Sequence, residues 1–264
     1  MGNIIVTGAT GAIGGAAVKR LREMGHNVIG TSRRAEHEGF YPLDISSPRS
    51  IAAFAERLSH EGIAIDGLLN NAGTIARHYE VTAEGFELVT ATNYLGTYLL
   101  TRKLLPMMNE GAHVVCTASL SCYVARLGKD FFDLSTDNYR QIKAYSNSKM
   151  ALVYFAQELH RRYGKHLHVN LTDPGIVNSR MIHLDRWFDC LADIAFRPFV
   201  KSPQQGAVPA VRALTTDCKL QLFRGYRQQD IPRRWQDEEF AAWLWEETEQ
   251  HLEKVKTETG WAEA

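Results

Sequence analysis

Tyr145 and Lys149 sit four residues apart in the stretch AYSNSKMALVYF (144–155), a spacing that suits proton transfer. On a helix, residues at this separation share one face, which brings an ammonium toward a phenol. Free tyrosine titrates near pH 10, too high for a base at neutral pH, and lowering that by about three units takes roughly 4 kcal/mol. A neighbouring positive charge can supply it, because opposite charge favours the phenolate. A tyrosine so placed acts as acid in one direction and as base in the other. Spacing alone does not select this pair, since Tyr139 and Lys143 repeat it just upstream. The upstream pair precedes the apolar period that begins near Met150 and is expected in a loop. Tyr145 is followed by Ser146, Asn147 and Ser148, small residues that let a cofactor approach.

A second stretch, NIIVTGATGAIGG, reads as a strand that turns into a helix. Gly8, Gly11 and Gly14 allow a tight turn and let backbone N–H groups approach a pyrophosphate at the helix N-terminus. Thr7, Thr10, Ala12 and Ile13 share that loop. The end of the next strand, SRR at Ser32, Arg33 and Arg34, decides which nucleotide is expected. An acidic residue there would accept the ribose 2′-OH of NAD, whereas arginine accommodates a 2′-phosphate. The expectation is NADP(H), with NAD(H) as the alternative.

The remaining elements must position these groups. Short apolar runs alternate with helix-length periodic segments. Strands are expected at 3–7, 26–32, a short piece before Asp44, 66–73, 112–119 and 166–175. Helices are expected at 12–25, 47–62, 144–164 and 202–215, with Ser47–Pro48 and Ser202–Pro203 as start signals, and a C-terminal helix at about 237–256. This alternation predicts an α/β fold, a single doubly wound parallel sheet with helices on both faces. In such a sheet, ligands bind outside the carboxyl ends of the strands. Those ends carry Thr7–Gly14, Ser32–Arg34, Asp44–Ile45, Asn70, Asn71, Ala72 and Gly73, Ser119, and Pro174 to Ser179.

Composition excludes other classes. The 264 residues hold 30 Lys+Arg against 30 Asp+Glu, so no electrostatic footprint for nucleic acid exists. The one dense basic cluster, Arg224, Arg227, Arg233 and Arg234, reads as a solvated loop. Hydrophobic residues make up 45% and charged residues 23%, as in a globular protein with a substantial core. Cys116, Cys122, Cys190 and Cys218 lack metal or disulfide spacing, and the ten histidines form no ligand constellation in the sequence, so no metal is expected. No apolar run is long enough for a membrane span. A first strand starting by Asn3 leaves no room for a signal peptide, and the expected location is cytoplasmic.

Taken together, TGATGAIG (7–14), NNAG (70–73), Asn93, Ser119, YSNSK (145–149) and PG (174–175) resemble the short-chain dehydrogenase/reductase family, in the family's order. The insert FFDLSTDNY, together with FAQELHRR and KSPQQGA, is most similar to the retinol dehydrogenase-like branch. The resemblance implies a Rossmann-type domain over the whole chain, transferring a hydride between NAD(P) and a carbonyl or alcohol. It implies Tyr145 as acid/base and Lys149 as holder of the nicotinamide ribose. Ser119 would polarise the substrate oxygen, with Ser121 as the alternative, and Asn93 would link the site to water or serve only as a helix residue. Asp44 and Ile45 would contact the cofactor. Pro174, Gly175, the Ile176 backbone and the Ser179 hydroxyl would face the nicotinamide. Asp173 departs from the family pattern without an evident reason.

The segment 176–201 stands where the family carries its substrate lid. Met181, Leu184, Trp187, Phe188 and Phe196 within it suit a lipophilic substrate, or equally a core or dimer contact. A homodimer and a homotetramer both remain open. A reading of another class is an NADP(H)-binding sensor without turnover.

Overall fold

A computed structural model describes residues 2–33, 39–177 and 200–259. One eight-stranded sheet organises them, in the order β3-β2-β1-β4-β5-β6-β7-β8. The strands are β1 (Asn3–Val6), β2 (Asn27–Ser32), β3 (Phe40–Pro42), β4 (Ile65–Asn70), β5 (Met108–Thr117), β6 (Leu167–Asp173), β7 (Gln221–Arg224) and β8 (Arg227–Asp230). All neighbours pair in parallel except β7 with β8. Chain order reverses between β1 and β4, which makes the gap between their carboxyl ends the switch point of a doubly wound fold.

Period-two alternation divides the core between the two faces. Ile5, Leu68, Val114 and Cys116 point into one apolar cluster, while Ile4, Val6, Leu69 and Val115 point into the other. Helices α1 (Ala12–Glu23) and α5 (Pro203–Leu214) close the second cluster with Ala17, Val18, Leu21, Ala210 and Val211. The first cluster is covered by α2 (Pro48–His60), α3, α4 (Gln141–Tyr163) and α6 (Glu238–Thr259). Helix α3 starts at Leu88–Thr90, passes through a π turn at Ala91–Leu95 and continues as Gly96–Leu104.

Start signals act as expected from the sequence. The Ser47 side chain accepts from Ser50 N–H, and Ser202 with Gln205 forms a reciprocal capping box. Helix α6 buries Trp245, whose ring stacks on Phe155 at 5.8 Å and meets Tyr98 edge-on at 4.9 Å. That aromatic contact ties α6 to both α3 and α4. Among the described residues no helix is long and apolar enough to cross a membrane.

Two expectations need correction. Helix α4 starts at Gln141, so Lys143 lies in its first turn rather than in a loop. Arg224 and Arg227 belong to the β7–β8 hairpin, and Arg233 and Arg234 to a 3₁₀ turn, so the basic cluster is not one solvated loop.

The π turn of α3 leans on the chain after β3. A Cβ built on Gly96 would stand 1.8 Å from the Ile45 carbonyl oxygen, so only glycine permits this approach. Gly96→Ala should therefore lose about 3 kcal/mol of stability or more, because the obstacle is backbone and overpacking there has no flexible side chain to yield. Urea denaturation measures it, and a loss below about 0.5 kcal/mol would mean that α3 has room to shift.

Candidate active site

Thr7 joins the two strands that flank the switch point. Its hydroxyl accepts from Asn71 N–H and Ala72 N–H, both at 2.9 Å, and donates to the Leu69 carbonyl at 3.2 Å. Asn71 Nδ2 donates to the Thr7 carbonyl at 2.9 Å. Gly8 has φ +66°, the left-handed region that favours glycine. A Cβ on Gly14 would meet the Gly8 carbonyl oxygen at 2.3 Å and Asn71 Nδ2 at 2.8 Å, so the loop closes tightly over the start of α1. Helix α1 begins at Gly11 with no side-chain cap and no acidic residue in its first turn. Its first N–H groups, including those of Ile13 and Gly14, thus face an edge suited to an anion. This bare start contrasts with the side-chain caps of α2 and α5, and it fits a dinucleotide's pyrophosphate.

Around this cradle the other expected residues fall into separate roles. Thr10 Oγ1 lies 3.4 Å from Ser32 Oγ, bridging the loop to the end of β2, and Arg33 is exposed beside it. Arg34 and Ser179 lie outside the described residues, as do Met181, Leu184, Trp187, Phe188 and Phe196 of the expected lid. Asp44 Oδ1 accepts from Ser46 N–H at 3.0 Å and Ser46 Oγ at 2.7 Å, and Ile45 is buried. The Asn70 side chain turns inward and donates to Thr101 Oγ1 at 3.0 Å, so its amide anchors β4 to α3.

Tyr145, Ser119 and Lys149 converge at the carboxyl ends of β5 and β6. Ser119 stands beside the phenol of Tyr145 and favours its ionised form. Burial nonetheless pushes that phenol above its ordinary value, and Cys122 and Asp173 push it further up. The Ser119 hydroxyl also accepts from Ser121 N–H at 3.2 Å, whereas the Ser121 hydroxyl is buried without a partner. It is therefore Ser119 that meets the phenol. Lys149 is 4% exposed, and its ammonium donates to the Thr117 carbonyl at 3.0 Å. Burial lowers its pKa to about 8, with Cys122 and Cys116 weakly opposing. Lowering of the phenol by Lys149, expected from the helical spacing, is not among the influences on Tyr145 in this state.

The π turn delivers Asn93 to the same place. Its Oδ1 accepts from Thr74 N–H at 2.7 Å, and its Nδ2 donates to the Thr74 carbonyl at 3.0 Å and Ser148 Oγ at 2.9 Å. Ser148 Oγ in turn donates to the Tyr145 carbonyl at 2.8 Å. A Cβ on Gly73 would sit 3.2 Å from Asn93 Oδ1 and 3.3 Å from Lys149 Nζ. NNAG and YSNSK are thus parts of one packed unit. Tyr139, by contrast, gives its hydroxyl to the Ala76 carbonyl at 2.7 Å, and Lys143 pairs with Asp130 at 3.6 Å, so that pair is committed elsewhere.

Asp173 finds its reason in the hairpin. Oδ1 accepts from Gly175 N–H at 2.8 Å, while Oδ2 accepts from Arg224 Nε at 3.0 Å and lies 2.9 Å from Nη2 in an ion pair. The carboxylate therefore fixes the Pro174–Gly175 turn, where Gly175 has φ +75°, against β7. Lys201, overlooked in the sequence, donates from Nζ to the Pro174 carbonyl at 3.1 Å and from N–H to the Ile176 carbonyl at 2.9 Å. No local pattern announces either contact, since both partners are distant in the chain.

Burial of Lys149 has a consequence for stability. Its folded pKa lies below the free value of 10.5, so the folded chain binds this proton more weakly than the unfolded chain. The cost is complete below about pH 8 and vanishes as pH rises through the free value. Lys149→Met should be more stable than wild type at pH 7, by up to about 3 kcal/mol, with the advantage shrinking toward pH 10. Urea denaturation at both pH values tests this; an advantage independent of pH would trace to packing alone.

Comparisons with known proteins agree with this geometry. The family model described as short chain dehydrogenase matches residues 2–186. Retinol dehydrogenase 13 of Homo sapiens is 31% identical over 273 residues, 93% of this chain and 82% of that protein. Polyprenol dehydrogenase of Homo sapiens is 33% identical over 239 residues, 80% of this chain and 72% of that protein. Among solved structures, an uncharacterized protein from Mycobacterium paratuberculosis superposes with a TM-score of 0.77 at 28% identity, over 95% of this chain and 92% of that one. A short chain dehydrogenase from Burkholderia cenocepacia, solved in complex with NADP, shares the fold with a TM-score of 0.64 at 20% identity, over 81% and 90% of the two chains. The chain belongs to the short chain dehydrogenase family, on its retinol dehydrogenase-like branch, and is an oxidoreductase of the NAD(P)-binding Rossmann fold.

Proposed function

We propose that the protein interconverts a lipophilic carbonyl compound and its alcohol with NADP(H), using Tyr145 as acid in reduction and base in oxidation. The observation that carries this reading is the placement of the Tyr145 phenol beside Ser119, on the same sheet edge as the uncapped start of α1. A substrate oxygen seated against both hydroxyls would receive a hydrogen bond from Ser119 and the proton from Tyr145. A phenol raised by burial is protonated at neutral pH, which is the form that reduction needs.

The nicotinamide supplies the hydride in reduction and accepts it in oxidation. Residues Gly8 to Gly14 would hold the pyrophosphate with backbone N–H groups, and Asn71 to Gly73 would line the path to Lys149. Lys149 would hold the nicotinamide ribose and, while charged, favour phenolate in the oxidation direction. Pro174, Gly175 and Ile176 would face the nicotinamide, together with Ser179. Asp44 and Ile45 would border the adenine, and Arg33 and Arg34 the 2′-phosphate. A polyprenol dehydrogenase and several retinol dehydrogenases among the relatives support a lipophilic substrate. So do Leu120, Tyr123, Val124, Ile142 and Ile176, exposed hydrophobic residues on the segments that carry Ser119, Tyr145 and the Pro174–Gly175 turn. A sensor that binds NADP(H) without turnover would have no use for the Ser119–Tyr145 pair.

Consumption of NADPH and NADH against a panel of lipophilic and small polar carbonyls tests the reading. Turnover should favour NADPH and lipophilic compounds, and Tyr145→Phe should lose about 100-fold or more in kcat. Arg33→Ala should weaken NADPH binding about tenfold and leave NADH nearly unchanged. Equal kcat/KM with both cofactors would remove the NADP preference, and turnover confined to sugars or acids would remove the lipophilic substrate. Full activity in Tyr145→Phe would remove the assigned acid.

A further inference from the structure

His113 and His168 are far apart in the chain, yet the parallel register of β5 and β6 sets them side by side. Their rings stack with centroids 4.8 Å apart and 18° between planes. Asp217, in the connection from α5 to β7, places Oδ1 3.4 Å from His113 Nε2 and 4.0 Å from His168 Nε2. All three potential ligand atoms lie within 4.8 Å of one another. We propose that His113, His168 and Asp217 form a binding site for a divalent transition metal, with zinc the fitting ion.

The distances agree with that ion. Zinc bound tetrahedrally at about 2.0–2.1 Å holds its ligand atoms roughly 3.4 Å apart. The His113–Asp217 separation already matches, and binding would draw the other edges in by rotation of the His168 ring and the Asp217 side chain. Two imidazoles and a carboxylate form a donor set that zinc accepts, with water completing the fourth position.

The surroundings favour the ligating forms. His168 Nδ1 lies 3.2 Å from the Cys218 carbonyl. As the donor in that contact, Nδ1 carries the proton and leaves the Nε2 lone pair for a metal, the arrangement that orients metal-bound histidines.

Access and support are both present. The two histidine side chains are 12% and 20% exposed, whereas Asp217 is 84% exposed, so a floor of partly buried imidazoles opens through a solvent-facing carboxylate. The loop bearing Asp217 is held independently of it. Asn170 Nδ2 donates to the Cys218 carbonyl at 2.9 Å, and Leu220 N–H donates to the Val169 carbonyl at 2.8 Å. His113 precedes Thr117 on β5 by about 13 Å of strand. The metal would therefore staple the α5–β7 connection to the sheet, well away from Ser119 and Tyr145.

Isothermal titration of the full chain with zinc chloride, and with cobalt(II) followed by visible absorption, tests the proposal. Wild type should bind one zinc per chain, show the intense visible bands of tetrahedral cobalt, and gain about 5 °C in Tm at a hundredfold excess over Kd. Asp217→Asn, an exposed substitution that leaves the core untouched, should weaken zinc at least about tenfold, and His168→Gln should do likewise. His166→Gln, in the exposed pair of His166 and Glu110 at 2.9 Å, should leave zinc binding unchanged. Absence of saturable zinc binding in wild type, or equal affinity in wild type and Asp217→Asn, would overturn the site.

Discussion

Parallel pairing of β1 through β7 is the constraint from which the rest follows. Because these strands run the same way, their carboxyl ends share one edge, and every loop that leaves them opens on the same side. Thr7 reinforces that edge where it is weakest, at the reversal of strand order. One hydroxyl there satisfies two backbone N–H groups of the neighbouring strand's exit loop and one carbonyl. Loss of that hydroxyl would leave polar backbone buried between two strands, a costly state in a low-dielectric interior.

Desolvation then sets the chemistry on this edge. Tyr145 and Lys149 share a helix face, but burial acts on them in opposite senses, raising the phenol and lowering the ammonium. Both shifts move the pair toward its neutral forms. The protein thus presents a protonated phenol beside Ser119, with a lysine still mostly charged at neutral pH, held by the Thr117 carbonyl. A further cation near this pair would pull the phenol back down while pushing the lysine lower still. The same physics operates at Asp173, where a fully buried carboxylate is matched by a guanidinium from the hairpin and by a backbone N–H. Buried charge is tolerated at that point because its hydrogen bonds are nearly complete.

Local patterns made much of this readable before any coordinates. Gly8 and Gly14, the serine caps and the apolar periods each act within a few residues of themselves, and they mark where α1, α2 and α5 begin. Helix α3 was legible only through the place of Asn93 in the family resemblance. Its π turn has no sequence signature, and Gly96, directly after it, packs against the Ile45 carbonyl from a distant segment. The β7–β8 hairpin was read as loop, since four-residue strands rich in Arg and Gln show little apolar alternation.

By itself, the sequence determined the alternation of strands and helices, the glycine turn at the start of α1, and the tyrosine and lysine on one face of α4. Each of these depends on backbone conformation and on neighbours within one or two turns. Tertiary structure alone decided that Arg224 neutralises Asp173 and that His113 and His168 stand side by side. Those outcomes rest on strand register and on the direction in which each loop leaves the sheet, which are fixed only when distant segments pack against one another.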